Sequence, residues 1–247
     1  MKFRLIPTQE FSACKNMAVD EAIMEQVREG ESPPTIRLYT WKPSAVSIGY
    51  FQGLKNEVDE EKCKKEKVDI VRRMTGGGAV YHDSKGEITY SIIGPENLFP
   101  KSIKESYKHI CGHIVEGLQE LGLEAEFSPI NDILVKGKKI SGSAQTRKKG
   151  VLLQHGTILY MTDVDKMFSL LKVGKEKISD KLIKSVKKRV TSIKSETTAT
   201  KKQLALALEK AFSNNYDLFV GEYSDSELQR AEELKDKYES EEWTAMR

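Results

Sequence analysis

Hydrophobic positions along the chain follow two different periods, and the balance between them shifts near residue 160. Met17, Ile23, Met24 and Val27 share roughly one face of a helix through NMAVDEAIMEQVREG, with Ser12 placed to cap its start and Gly30 to end it. After Pro33 and Pro34 the segment TIRLYTW alternates as a strand does, and AVSIGYF, following Pro43, reads as its partner. The charged DEEKCKKEK predicts a short helix leading into a buried strand, VDIVRR. AVYH and EITYSII read as a hairpin closed through DSKG. Ile103, Tyr107, Ile110, Ile114, Leu118 and Leu121 recur at helical spacing and predict a long amphipathic helix. NDILVKGKKISGSA predicts a hairpin turning at Lys136, Gly137 and Lys138, and VLLQHGTILY a last strong strand.

From Val164 the period is helical, through VDKMFSLLKV, DKLIKSVKKRV, KKQLALALEKAFSNNY and SELQRAEELKDKYES. No low-complexity linker separates the halves. The expectation is one domain over residues 1–247, strand-rich to about residue 160, with a helical tail over 161–247 packed on it.

Composition narrows the class. Hydrophobic residues at 38% and charged residues at 31% describe a chain that buries a core, and the net charge of +3, from 40 basic and 37 acidic side chains, argues against a nucleic-acid coat. Cys14, Cys63 and Cys111 lie far apart and in no metal-ligand spacing, which predicts reduced thiols. MKFRLIPTQEF lacks a signal-peptide core and no window is apolar enough to span a membrane, so the expected location is the cytoplasm.

The densest chemistry is RRMTGGGAVYHD, Arg72 to Asp83. Three consecutive glycines cost backbone entropy and bring nothing to a core, so the segment suits a ligand approached closely by the main chain. It leads into a strand and lacks GxGxxG at a strand-to-helix turn, which excludes a dinucleotide fingerprint, and no GxxxxGK followed by Ser or Thr occurs. A glycine-rich connection without a ligand is the alternative. One of the two arginines is expected to point into a cleft, the other to meet solvent or a carboxylate. Further on, Asn131 and Asp132 open a hairpin whose returning strand carries Lys139 directly before the small residues SGSA. A held cation beside small residues fits an anionic reacting centre; a solvated basic face is the alternative, and it suits Lys136, Lys138, Lys148 and Lys149.

RRMTGGGAVYHD, ND, GKKISGSAQTR and QHGTILY, in this order and spacing, resemble the lipoate-protein ligase family, with NMAVDEA, PSAVSIGYFQ, KRVTSI and the closing EEW as further matches over nearly the whole chain. The resemblance implies an α+β fold with a mainly antiparallel sheet, shared with biotin-protein ligases and class II aminoacyl-tRNA synthetases. It implies ATP and magnesium as cofactors, lipoate activated to lipoyl-adenylate, and transfer of the lipoyl group to a lysine on carrier domains of 2-oxoacid dehydrogenase complexes or the glycine cleavage H protein. Nucleic acid and membrane are not implied partners.

Carried over by position, Lys139 is the catalytic residue. Arg73, Thr75, Gly76, Gly77, Gly78, Ala79, Val80, Tyr81, His82, Asn131, Asp132, Ala144, His155 and Gly156 form the substrate and ATP site, with simple packing the alternative for His155 and Gly156, and Asp132, through its side chain or its backbone carbonyl, helps to place magnesium. Octanoyltransferases share the fold and pass the acyl group through a cysteine thioester; Leu121 to Tyr160 contains no cysteine, so adenylation is the favoured expectation. A non-catalytic carrier-domain binder is a third reading. Many such ligases carry a further C-terminal domain, which here is expected from a separate small protein.

Overall fold

The structure, a computed structural model, describes residues 1–161, 163–172, 184–185 and 188–247. In chain order the elements are β1 (Phe3–Phe11), α1 (Ala13–Glu29), β2 (Thr35–Trp41), β3 (Ala45–Ile48), α2 (Leu54–Glu57), α3 (Glu60–Lys65), β4 (Asp69–Arg72), β5 (Val80–His82) and β6 (Glu87–Pro95). Then follow α4 (Ile103–Glu120), β7 (Ala125–Ser128), β8 (Asp132–Val135), β9 (Lys138–Lys148), β10 (Val151–Leu159) and α5 (Val164–Leu170). The remainder forms α6 (Ile193–Glu196), α7 (Lys201–Asn215), β11 (Leu218–Val220), α8 (Asp225–Glu239) and α9 (Glu241–Thr244).

Eight strands make one sheet in the order β11-β1-β2-β6-β10-β9-β8-β7, parallel at β11-β1-β2 and antiparallel from there on. A smaller sheet, β4-β3-β5, stands apart from it. The fold is therefore the α+β arrangement with a mostly antiparallel sheet that the sequence led one to expect.

Helices cover both faces of the large sheet, which explains why every residue of TIRLYTW is buried despite its alternating appearance. Ile36, Leu38, Ile92 and Leu152 pack in a core with α4 and α7, while Tyr39, Trp41, Ile93 and Leu153 pack in a second core with α1 and α8. Successive strand residues feed opposite cores, as the two-residue period of a strand requires. A third, smaller core joins β3 and β5 to α2, α3 and α5. Ser12 caps α1 and accepts from the Lys15 amide, and Gly30 ends the helix at φ 78°. The turn from β8 to β9 passes through Lys136 and Gly137, both at positive φ.

Three local expectations are overturned. TIRLYTW and AVSI do not pair: β2 lies between β1 and β6, whereas β3 lies between β4 and β5. AVYH and EITYSII are not a hairpin either, because β5 pairs with β3 and β6 with β2 and β10, so the chain crosses between sheets at Asp83–Gly86. Hydrophobic period places residues on a face but carries no partner information. The tail is not wholly helical, since Leu218–Val220 add a strand beside β1. Most of DKLIKSVKKRV, including Lys181, lies outside the described residues.

Candidate active site

Where β4 ends, the two arginines take different tasks. Arg72 is fully buried and donates to the carbonyls of Gly49, Tyr50, Gln52, Trp243 and Thr244, so it meets neither solvent nor a carboxylate as expected. Arg73 turns under the glycine loop: Nη2 donates to the carbonyls of Gly76 (2.8 Å) and Gly78 (2.7 Å), Nη1 to the Ser47 carbonyl and hydroxyl, and Nε to Thr75 Oγ1. None of these acceptors is charged, and burial draws the guanidinium down to about 10. The loop therefore carries a buried positive charge balanced only by dipoles. Gly77 sits at φ 94°, and a Cβ on it would lie 3.0 Å from Arg73 Nη2. A Cβ on Gly49 would come within 2.1 Å of the Gly77 carbonyl, so the main chains of the two segments are in direct contact.

Lys139 lies on β9 just before the register shift between β8 and β9, and its ammonium is 2.7 Å from Asp132 Oδ1. Gly142 leaves room for this, since a Cβ there would stand 2.8 Å from Lys139 Nζ. Asn131 Nδ2 donates to the Ser143 carbonyl at 2.6 Å and holds the hairpin closed.

Beneath the loop runs a buried chain of hydrogen bonds. His155 Nε2 is 2.7 Å from Thr75 Oγ1, and His155 Nδ1 is 3.2 Å from Asp20 Oδ2. Asp20 also binds Arg37 at 2.9 Å and Ser91 at 2.9 Å. Burial pushes the His155 pKa down, so the neutral ring donates through Nδ1 to Asp20 and accepts at Nε2 from Thr75. The Arg37 guanidinium and the His155 hydrogen bond overcome burial and hold the Asp20 carboxyl below its usual range. On the other side His82 stacks on Trp41 at 3.9 Å, with Nδ1 2.7 Å from Glu87 and Nε2 2.8 Å from Ser47.

These groups surround a cavity of about 340 Å³ between the two sheets, with mainly apolar walls. It brings together Arg73, Gly77, Gly78, Ala79, Val80, Tyr81, His82, Asn131, Lys139, Ala144, His155 and Gly156. Thr75, Gly76 and Asp132 do not line it; Thr75 and Gly76 hold Arg73, and Asp132 holds Lys139. Met17, Tyr39, Trp41, Ser47, Glu87 and Thr89 also line the cavity, and nothing in the sequence pattern marks them as site residues. Trp41, Glu87 and Thr89 form one hydrogen-bonded cluster with His82, and only strand pairing brings them together.

Residues 12–213 match the lipoyl protein ligase A/B catalytic domain. The chain belongs to this family. Octanoyltransferase LipM of Clostridioides difficile is 37% identical, with 100% of this chain and 99% of that protein covered, and octanoyltransferase LipM of Brevibacillus brevis is 39% identical at the same coverage. Among solved structures, that of a bi-partite lipoate protein ligase and its E2 lipoyl domain from Thermoplasma acidophilum superposes with a TM-score of 0.90 at 33% identity, covering 99% of this chain and 96% of that one. A lipoate-protein ligase A bound with ATP gives 0.86 at 30% identity, with 99% of each chain covered.

The relatives of this lipoyl protein ligase A/B member thus divide between two names, and the thiols bear on the division. None of its three cysteines lines the cavity. Cys111 is fully buried on α4 behind the wall, with Sγ 3.6 Å from Ser143 Oγ, and burial pushes its thiol pKa up. Burial likewise raises Cys14 and Cys63, each to about 11. A nucleophilic thiolate needs the reverse environment. Among the described residues no group of three or more His, Cys, Asp or Glu is placed to hold a metal ion, and Asp132 is a single carboxylate already bound to Lys139. This donor set does not form a metal site of its own; a magnesium ion would come with the phosphates of a nucleotide. No helix among the described residues is long and apolar enough to cross a membrane.

Proposed function

We propose that this chain transfers a lipoyl or octanoyl group to a lysine of a lipoyl carrier domain. The observation that carries this reading is the juxtaposition in one apolar cavity of Lys139, held at its mouth by Asp132, with the glycine loop folded around the buried Arg73. An acyl chain of this length fits an apolar slot, and its activated carboxyl end would lie by the two cations. The neutral lysine amine of the carrier domain attacks the acyl carbonyl carbon, the bond from that carbon to the leaving group (the donor's thiolate or AMP) breaks with its electron pair going to the leaving group, and the amine's proton passes to that group or to solvent. Negative charge develops on the carbonyl oxygen, where a cation already in place stabilises it without reorganisation.

The two candidate donors are favoured by different observations. Full-length identity of 37–39% to octanoyltransferases favours transfer from an octanoyl carrier protein. The sheltered position of Cys111 favours a route without a cysteine thioester, in which ATP activates the carboxylate and the amine attacks an adenylate, as the likeness to lipoate-protein ligases also suggests. In the adenylating route Lys139 would first meet the charge spreading over the α-phosphate oxygens. The bi-partite architecture of the Thermoplasma protein supports the expectation of a separate companion protein here.

The deciding experiment incubates the purified chain with a lipoyl domain and either octanoyl carrier protein or lipoate, ATP and magnesium, with and without a candidate companion, and weighs the lipoyl domain by mass spectrometry. Mass gain from octanoyl carrier protein alone selects the transferase, and gain that needs ATP with pyrophosphate release selects the ligase. No gain with either donor overturns the proposal.

A further inference from the structure

The Arg72 side chain ties residues 241–247 to the glycine loop in both directions. Its Nε donates to the Trp243 carbonyl at 3.0 Å and its Nη2 to the Thr244 carbonyl at 2.8 Å, while Trp243 Nε1 donates back to the Arg72 carbonyl at 2.9 Å. The same guanidinium holds the Gly49, Tyr50 and Gln52 carbonyls through Nη1. That turn touches the loop itself: the Tyr50 amide donates to the Thr75 carbonyl at 2.9 Å, and Gly49 packs against the Gly77 carbonyl. The next residue, Arg73, supports Gly76 and Gly78 from below. Trp243 lies over Lys237 at 4.1 Å and against the rings of Tyr50 and Tyr238, so its position is fixed on several sides.

We infer that Arg72 and Trp243 are positioning residues: the segment 241–247 latches the end of β4 and the turn at Gly49–Gln52, and thereby sets the conformation of the glycine loop that receives the acyl donor. The inference rests on the proposed acyl transfer for its kinetic consequence, but not for its conformational one. Neither side chain touches the cavity, so their effect reaches the ligand only through the backbone of residues 73–78. The latch also makes α9 a site from which binding of another protein would be felt at the loop.

The test uses the full chain with Trp243→Phe, which removes the indole donor and keeps an aromatic ring, and Arg72→Lys as a second variant. Trp41 is then the only tryptophan in the Trp243→Phe chain and reports the cavity through its fluorescence. Hydrogen exchange of residues 74–80, followed without any ligand, is expected to rise about five- to ten-fold, the factor that one lost hydrogen bond supplies, while exchange in α4 stays as in the wild type. The Michaelis constant for the acyl donor is expected to rise by a similar factor with kcat within about two-fold. Unchanged loop exchange, or an equal rise in α4 and the loop, overturns the latch. If the loop responds as stated but the wild type takes neither donor, the latch stands and the functional proposal fails.

Discussion

Arg73 is a buried cation whose hydrogen bonds all end on neutral oxygens, and Lys139 is a half-exposed cation with one carboxylate; under the proposed transfer Lys139 would meet the developing oxyanion, while Arg73, its N–H groups spent on the loop and Ser47, would add positive charge from beneath. Lys139→Ala is expected to lower acyl transfer by a factor on the order of 10² to 10³, measured as the rate of carrier mass gain, with an unchanged melting temperature, since Lys139 pairs only at the rim. Gly77→Val places a β-branched residue at φ 94° with its Cβ against Arg73, and should weaken acyl-donor binding at least ten-fold, measured by isothermal titration calorimetry. Asp20→Asn leaves Arg37 buried without its anion and should destabilise the chain by about 3–5 kcal/mol in urea unfolding. In the sequence Asp20 stands within NMAVDEA with no motif of its own. Its partners Arg37, Ser91 and His155 come from three further strands, so no local pattern could have pointed to it.

Helix α4 shows what periodicity can and cannot deliver. Its repeating apolar residues placed it correctly, and Ile110, Ile114 and Leu118 are fully buried, but Ile103 at the first turn is exposed. Its buried face also holds His113, whose two ring nitrogens have no hydrogen-bond partner, and burial, helped by nearby His109, lowers its pKa to about 4. A folded-state value below the ordinary 6.5 means that the unfolded chain binds this proton first. The stability contribution is complete above pH 6.5 and is lost as pH falls from there toward 4. His113→Phe should therefore reduce the drop in urea midpoint between pH 7 and pH 5, with the remainder left to His109 and His155, whose values burial also lowers. Strand positions were equally legible from period two, whereas partners were not: β3 and β5 look like neighbours of β2 and β6 in sequence and belong to another sheet. The cavity between the sheets was hidden for that reason. The glycine loop and the lysine hairpin were legible because their residue types are costly anywhere else.

At the scale of the molecule, the two ends of the chain meet. Arg4 on β1 is buried and ion-paired with Glu227 on α8, and Ser32 donates to the same carboxylate at 2.7 Å. Lys237 and Tyr238 of α8 both bind Glu21 of α1. Glu227→Gln should lower unfolding free energy by about 3 kcal/mol, because Arg4 keeps its hydrogen bonds to Thr35 and the Glu222 carbonyl but stays buried without a counter-charge; the urea midpoint measures it. β1 lies between β11 and β2, so residues 3–11 are joined to residues 218–220 across nearly the full length of the chain. The family match, residues 12–213, contains neither β1 nor β11. A fragment cut at those boundaries would present β2 as a bare edge, with its row of unpaired amides and carbonyls open to other molecules, and such an edge invites aggregation. The same joining makes folding non-local: β1 acquires its outer neighbour only after some two hundred further residues have been made, and until then an emerging chain depends on other means to keep that strand from pairing wrongly.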